Sequence, residues 1–170
     1  ASLGQLHPEI DLEIIAKLRI MSLARHEADL AIRLGRPRDS ELVGRRLGQM
    51  EFEFYGLAGV STAKRRPALI AYDENSEFIP EARWLTSNFP DARLTLRSNS
   101  QLVQLEAARA GLGLALLPHY LVVGDARLRP VNLGKRPPPR DVWLLSRREA
   151  WRTPRVRAVA EYIISQFENW

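Results

Sequence analysis

An α/β fold with largely parallel sheets is what this sequence predicts, and three observations carry that prediction. Short β-type segments alternate with helix-type segments along the chain, the order that builds strands connected through helices. Several strand segments are continuous apolar runs, such as Leu30-Ala31-Ile32 and Leu114-Ala115-Leu116-Leu117, as expected of strands covered on both faces. The helix segments carry start and stop signals, with Thr153-Pro154 opening the last one and Gly111 closing the one that begins near Ser98.

The first residues read as the end of a helix, stopped before Pro8. From Ile10 to Ile15, Ile and Leu alternate with Asp and Glu, which predicts a strand with one buried face. A loop and a short helix with Ile20, Leu23 and Ala24 on one side are expected next. The Leu30–Ile32 run is expected as a strand buried on both faces, closed by Gly35 and Pro37. Glu41–Gly48 and Met50–Gly59 read as two strands, the second placing Phe52 and Phe54 opposite Glu51, Glu53 and Tyr55.

After a loop by composition, "STAKRRP", the segment "ALIAYD" reads as another short buried strand. Pro80 falls in the first turn of a helix that carries Ile79, Ala82, Trp84 and Leu85 and is stopped by Pro90. "ARLTLRS" alternates, with Leu94 and Leu96 expected inward.

Ser98 and Gln101 have capping-box spacing, so a helix is expected to start there and run to Ala110, with Leu102, Leu105 and Ala108 on one face. Gly111 then occupies a C-terminal cap position. The order helix, glycine, strand rules out a phosphate loop at Gly111-Leu112-Gly113, because that loop needs a strand before its glycines and a helix after them. Gly113 reads instead as a site of close packing. "RLRPVNLG" and "DVWLLSRR" read as strands on either side of the Pro-rich turn "KRPPPR". The last helix follows, with an apolar stripe of Val156, Val159, Ala160, Ile163 and Phe167.

The 170 residues are enough for one sizeable core or for two small lobes. With 45% hydrophobic and 26% charged residues, the composition is that of an ordinary globular protein. No apolar run approaches the ~20 residues of a membrane span, so no membrane partner is expected. There is no basic segment followed by an apolar one at the start, hence no secretory signal, and no initiating Met, so a piece of a longer protein is expected. The absence of cysteine rules out disulfides, thiolate metal sites and Cys nucleophiles. The net charge is +5, spread over short clusters such as Arg45-Arg46, Arg147-Arg148 and Lys64-Arg65-Arg66 that read as solvated faces. A mildly positive field of this kind favours an anionic small ligand.

Signals of catalysis are few. His7, His26 and His119 are scattered, none at a metal-binding spacing, and no Ser lies in a Gly-x-Ser-x-Gly elbow. No catalytic residue, metal ligand or cofactor is therefore expected. His119 reads as a surface residue capping a helix, and Glu51 with Glu53 as a solvent-facing strand edge. More informative is the set of polar residues at the ends of predicted strands: Lys17 and Arg19, Arg33, Tyr72 and Asp73, and Ser98-Asn99-Ser100. In parallel α/β sheets ligands bind at the carboxyl ends of strands, and a helix N-terminus beside hydroxyl and amide groups suits an anion. A plain capping role for Ser98, Asn99 and Ser100 stands equally at this point.

The motif order "HEADLAIRLGRPRDSELVGRRLG", an aromatic-rich strand, "LRSNSQLVQLEAARAGLGLALLPHYL" and "DVWLLSRREAWRTPRVRAVAEYI" resembles the effector-binding domain of LysR-type transcriptional regulators. Three blocks carry it together: Ala28–Arg33, Ala110–Pro118 and Pro154–Ala158. The resemblance covers nearly the whole chain. It implies a periplasmic-binding-protein-like fold of two α/β subdomains joined by two crossover strands near Leu57-Ala58 and Val131-Asn132. Subdomain I would be 1–57 with 132–170, and subdomain II 58–131, with the N-terminal strand of subdomain I missing. A small-molecule effector would bind in the cleft between them.

By matching motifs, the ligand-binding positions would be Lys17, Arg19, Arg33, Leu34, Tyr72, Asp73, Ser98, Asn99 and Ser100. An anionic effector and, beside Leu34, a partly apolar one both stand as alternatives. The resemblance further implies a cytoplasmic, bacterial regulator that forms a homodimer or homotetramer, using the helix around Ile20–Arg25 and that from Ser100 to Ala110. DNA would be bound only through an N-terminal winged helix-turn-helix outside this sequence. Two other readings are weighed beside it: a free-standing periplasmic-type solute-binding protein, and an α/β enzyme whose nucleophile is unrecognised.

Overall fold

A computed structural model describes residues 2–16, 28–36, 41–59 and 66–168. The chain divides into two compact units, Ala1–Gln49 with Arg140–Trp170, and Met50–Pro139.

The first unit contains α1 (Leu3–Leu6), β1 (Leu30–Leu34), β2 (Leu42–Met50, whose last residue passes into the second unit), β8 (Arg140–Arg147), α4 (Arg148–Trp151) and α5 (Pro154–Phe167). Its three strands lie in the order β1-β8-β2. β1 runs antiparallel to β8, with Leu30 opposite Ser146 and Leu34 opposite Val142. α5 starts where Pro154 occupies its first turn and Thr153 its N-cap, although the Thr153 side chain makes no capping bond. Val156, Val159, Ala160 and Ile164 are the buried residues of this helix. Ala160 and Ile164 pack on Leu144 of β8, with Leu30, Leu47, Trp151 and Ile163 around them.

The second unit holds β3 (Phe52–Leu57), β4 (Ala68–Ala71), α2 (Pro80–Asn88), β5 (Arg93–Arg97), α3 (Gln101–Arg109), β6 (Leu114–Pro118) and β7 (Leu128–Val131). Its sheet has the order β5-β4-β6-β3-β7. β4 is parallel to both β5 and β6, while β3 is antiparallel to β6 and β7. Residues Leu114–Leu117 alternate between two cores. Ala115 and Leu117 join Tyr55, Ile70 and the α3 residues Leu105, Ala107 and Ala108. Leu114 and Leu116 join Phe52, Phe54, Leu69 and the α2 residue Leu85 on the other face. A strand covered by a helix on each face has no polar side, which is why this run is apolar at every position. Phe89 meets the Phe54 ring edge-on, with centroids 5.3 Å apart.

The turn between α3 and β6 depends on its two glycines. Gly111 has φ +77°, the left-handed conformation of a helix C-terminal cap. A Cβ at Gly113 would stand 2.7 Å from the Ala68 carbonyl oxygen and 3.0 Å from Thr95 Oγ1, so the close packing expected there is present.

Several expectations are corrected. The sheets are mixed rather than largely parallel, because β8 runs against β1, and β3 against β6 and β7. Residues 10–16 form no strand, and Ile14 is 87% exposed. Alternation buries one face only when a neighbouring strand supplies a ladder, and among the described residues none pairs with this segment. β1 is not buried on both faces: among the described residues it lies at a sheet edge, and Ile32 and Leu34 are exposed.

In β5 the pairing skips Thr95, whose hydroxyl donates to the Leu69 carbonyl at 3.2 Å. This bulge shifts the side-chain alternation, so Leu96 packs on the core while Leu94 is exposed. The N-cap of α3 is Ser100, not Ser98, and Leu102 faces outward, with Gln104 and Ala107 joining Leu105 and Ala108 in the buried set. β3 is an inner strand between β6 and β7, so Glu51 and Glu53 do not mark a sheet edge. The expected short helix around Ile20–Ala24 lies outside the described residues.

Candidate functional site

β4 and β5 are adjacent and parallel, so their carboxyl ends open on the same side of the second unit's sheet, Ala71 opposite Arg97. Beyond those ends come Tyr72-Asp73 and Ser98-Asn99-Ser100. The structure therefore brings five of the expected site residues together at one end of one sheet.

Backbone and side-chain bonds hold this end in place. The Ser98 N–H donates to the Ala71 carbonyl at 3.0 Å. The Ser98 hydroxyl accepts from the Ser100 N–H at 3.1 Å, and the Ser100 hydroxyl accepts from the Val103 N–H at 3.5 Å, the N-cap bond of α3. Asp73 accepts from the Ser76 hydroxyl within a single 3-10 turn, Glu74–Ser76, and Arg97 pairs with Glu74 across the ends of the two strands. Asn99 is exposed at the tip. Two residues absent from the expected set complete the arrangement: Gln101 Nε2 donates to the Tyr72 hydroxyl at 3.0 Å, and Gln104 Nε2 donates to the Ser98 carbonyl at 2.7 Å. Their signal in the sequence was a pair of carboxamides at i, i+3 spacing, one of them on the buried side of α3. Chemically this is a cluster of hydroxyl and amide groups, with the Asp73 and Glu74 carboxylates beside it, at the positive end of a nine-residue helix, suited to hold a hydrogen-bonding group.

The other expected residues lie elsewhere. Arg33 and Leu34 are on β1 in the first unit and, as neighbours on a strand, point to opposite faces. The Leu34 carbonyl accepts from Arg140 Nη2 at 2.9 Å. Lys17 and Arg19 lie outside the described residues.

A second polar cluster surrounds Tyr55. Its hydroxyl bonds His119 Nδ1 at 2.8 Å, and Arg136 pairs with Glu53 close by. Burial pushes the Tyr55 hydroxyl above the usual tyrosine range, the Glu53 carboxylate adds to this, and Arg136 opposes it. His119 opens a 3-10 turn, and its ring serves Tyr55 rather than a helix cap. Among the described residues no group of three or more His, Asp and Glu is placed to hold a metal ion.

The family described as LysR substrate binding domain matches residues 1–168. The chain is 32% identical over 163 residues to the Mau operon transcriptional activator of Paracoccus denitrificans, covering 94% of this chain and 56% of that protein. It thus spans about half the length of that relative. Among solved structures, a variant of the AphB regulatory domain of Vibrio vulnificus superposes with a TM-score of 0.75 at 20% identity, over 97% of this chain and 88% of the other. The CcmR regulatory domain of Synechocystis, solved in complex with 2-PG, gives 0.67 at 19% identity, over 86% and 77%. The fold shared with these regulatory domains is the two-subdomain, periplasmic-binding-protein-like one.

Proposed function

The chain belongs to the LysR substrate-binding domain family, and from that premise we propose that it is the effector-sensing regulatory domain of a LysR-type DNA-binding transcriptional regulator. The family match favours this reading over a free-standing solute-binding protein. The observation that carries the ligand reading is the meeting of Tyr72, Asp73, Ser98, Asn99 and Ser100 at the carboxyl ends of β4 and β5, beside the N-terminus of α3. A small, anionic effector held there by hydrogen bonds biases the domain between arrangements it binds unequally, which is the thermodynamic content of sensing. Lys17, Arg19, Arg33 and Leu34 are proposed as contacts from the first subdomain. The functional division proposed is 1–57 with 132–170 and 58–131, with crossovers near Leu57-Ala58 and Val131-Asn132, whereas the compact units divide after Gln49 and after Pro139 and leave β3 in the second. The domain performs no catalysis in this reading and needs no cofactor.

The partners follow from the same reading. DNA is contacted by a winged helix-turn-helix of the longer protein, whose place of action is the cytoplasm. Among the described residues no helix is long and apolar enough to cross a membrane. The domain pairs with a second copy through α3, whose Leu102 and Val103 are exposed apolar residues. Calorimetry against a panel of small carboxylates and 2-PG tests the ligand reading. One member is expected to bind, with Asn99→Ala weakening it about tenfold, equivalent to ~1.4 kcal/mol. A ligand whose affinity ignores Asn99→Ala excludes the proposed site.

A further inference from the structure

Gln104 is 1% exposed on the face of α3 that otherwise presents Leu105, Ala107 and Ala108 to the core. A carboxamide in such surroundings is costly unless its polar atoms are bonded, and a leucine of similar size would bury more apolar surface there. The carboxamide nitrogen has two partners, both backbone carbonyls at the polar end of the sheet: Ser98 O at 2.7 Å and Ala71 O at 3.4 Å. The Ala71 carbonyl also accepts from the Ser98 N–H at 3.0 Å. Three chain segments therefore meet on one side chain: the end of β4, the residue after β5, and α3. One turn earlier on the same helix, Gln101 holds the Tyr72 hydroxyl.

We infer that Gln104 is a positioning residue for the proposed effector site, setting the spacing between Tyr72 and Ser98-Asn99-Ser100 through the Ala71 and Ser98 backbone without touching the ligand. The inference rests on the effector reading above for its functional meaning, but its structural content is separable. With leucine at 104, the Ser98 carbonyl loses its donor while the core gains apolar area. The two effects oppose each other in overall stability, so the change falls on local order at residues 98–100. Glutamate at 104 places a carboxylate against two carbonyl oxygens. Burial and the facing carbonyl oxygens both raise its pKa, so the protonated carboxyl keeps one donor and loses it only when the pH is raised far enough to ionise it.

The test is amide hydrogen exchange with parallel thermal melts on the wild type, Gln104→Leu and Gln104→Glu. Inorganic phosphate serves as the anion probe, titrated by the amide shifts of Gln101 and Leu102. In Gln104→Leu, protection at Ser98 and Ser100 is expected to fall at least tenfold, while Leu114–Leu117 stay as protected as in the wild type and phosphate affinity falls with the local protection. In Gln104→Glu the protection is expected to be kept in part while the carboxyl is protonated and to fall as the pH is raised through its ionisation. In Gln104→Leu, unchanged protection at 98–100, or a loss spread evenly over the chain with a lowered melting temperature, overturns the inference. If neither phosphate nor any ligand of the carboxylate and 2-PG panel binds the wild type, the effector reading fails, and the exchange pattern alone decides whether Gln104 positions this end of the sheet.

Discussion

Arg109 Nε donates to Asp125 Oδ2 at 2.7 Å, fastening the last turn of α3 to the loop between β6 and β7. The Asp125 side chain is 6% exposed and also accepts from the Arg127 N–H at 2.9 Å. That backbone bond first, and the Arg109 guanidinium second, hold its carboxyl below the usual carboxylate range. Arg109 is shared with Glu106, so the helix end and the loop form one charged group. An ion pair with one buried partner restrains a loop more firmly than an exposed pair does, since water screens it less.

A pH dependence follows from the depressed Asp125 value. A carboxyl whose folded pKa lies below its unfolded value, about 3.9, stabilises the fold at higher pH. That contribution disappears as pH falls through the folded value. Asp125→Asn is therefore expected to melt below the wild type at neutral pH, with the gap closing below about pH 4. Melting curves followed by circular dichroism across this range check it, and a gap that does not change with pH refutes it.

Gly113→Ala tests the close approach between the α3–β6 turn and β4. Its new methyl would meet the Ala68 carbonyl oxygen at 2.7 Å, a backbone atom at the start of β4, which β5 and β6 hold on either side, so it cannot swing aside. Overpacking of this kind costs roughly 1–3 kcal/mol. Urea unfolding should show it as a lower midpoint with an unchanged slope. Gly134→Ala makes an informative contrast, because a Cβ there meets nothing within 4 Å and only its φ of +83° resists the change.

Leu102, at 64% exposure on α3, is expected to contribute to association rather than to the fold. Leu102→Asp should leave the melting temperature of the isolated subunit nearly unchanged while shifting sedimentation at micromolar concentration toward monomer. A wild type that is already monomeric there, or a variant that still dimerises, removes α3 from the proposed interface.

How much of this was legible beforehand depends on where each signal originates. The strand at Leu114–Leu117 was readable because two covered faces demand an apolar residue at every position. The end of α3 at Gly111 and the start of α5 at Pro154 were readable because each rests on the backbone chemistry of one residue. The polar cluster at Tyr72-Asp73 and Ser98–Ser100 was readable from its place after two strand segments. Gln104 was not: outward and inward glutamines look alike until the helix is docked.

The sequence by itself determined the α/β class, the family resemblance and most element positions, since these depend on residue type and local spacing. Only the tertiary structure decided which segments found partners. Ile10 to Ile15 has the alternation of a strand and, among the described residues, no ladder to join. β5 has a regular pattern whose alternation is shifted at Thr95 by the register of β4. α3 turned Gln104 inward and Leu102 outward. In each case the deciding energy is burial against, or bonding to, residues distant in sequence, and short-range periodicity carries no record of it.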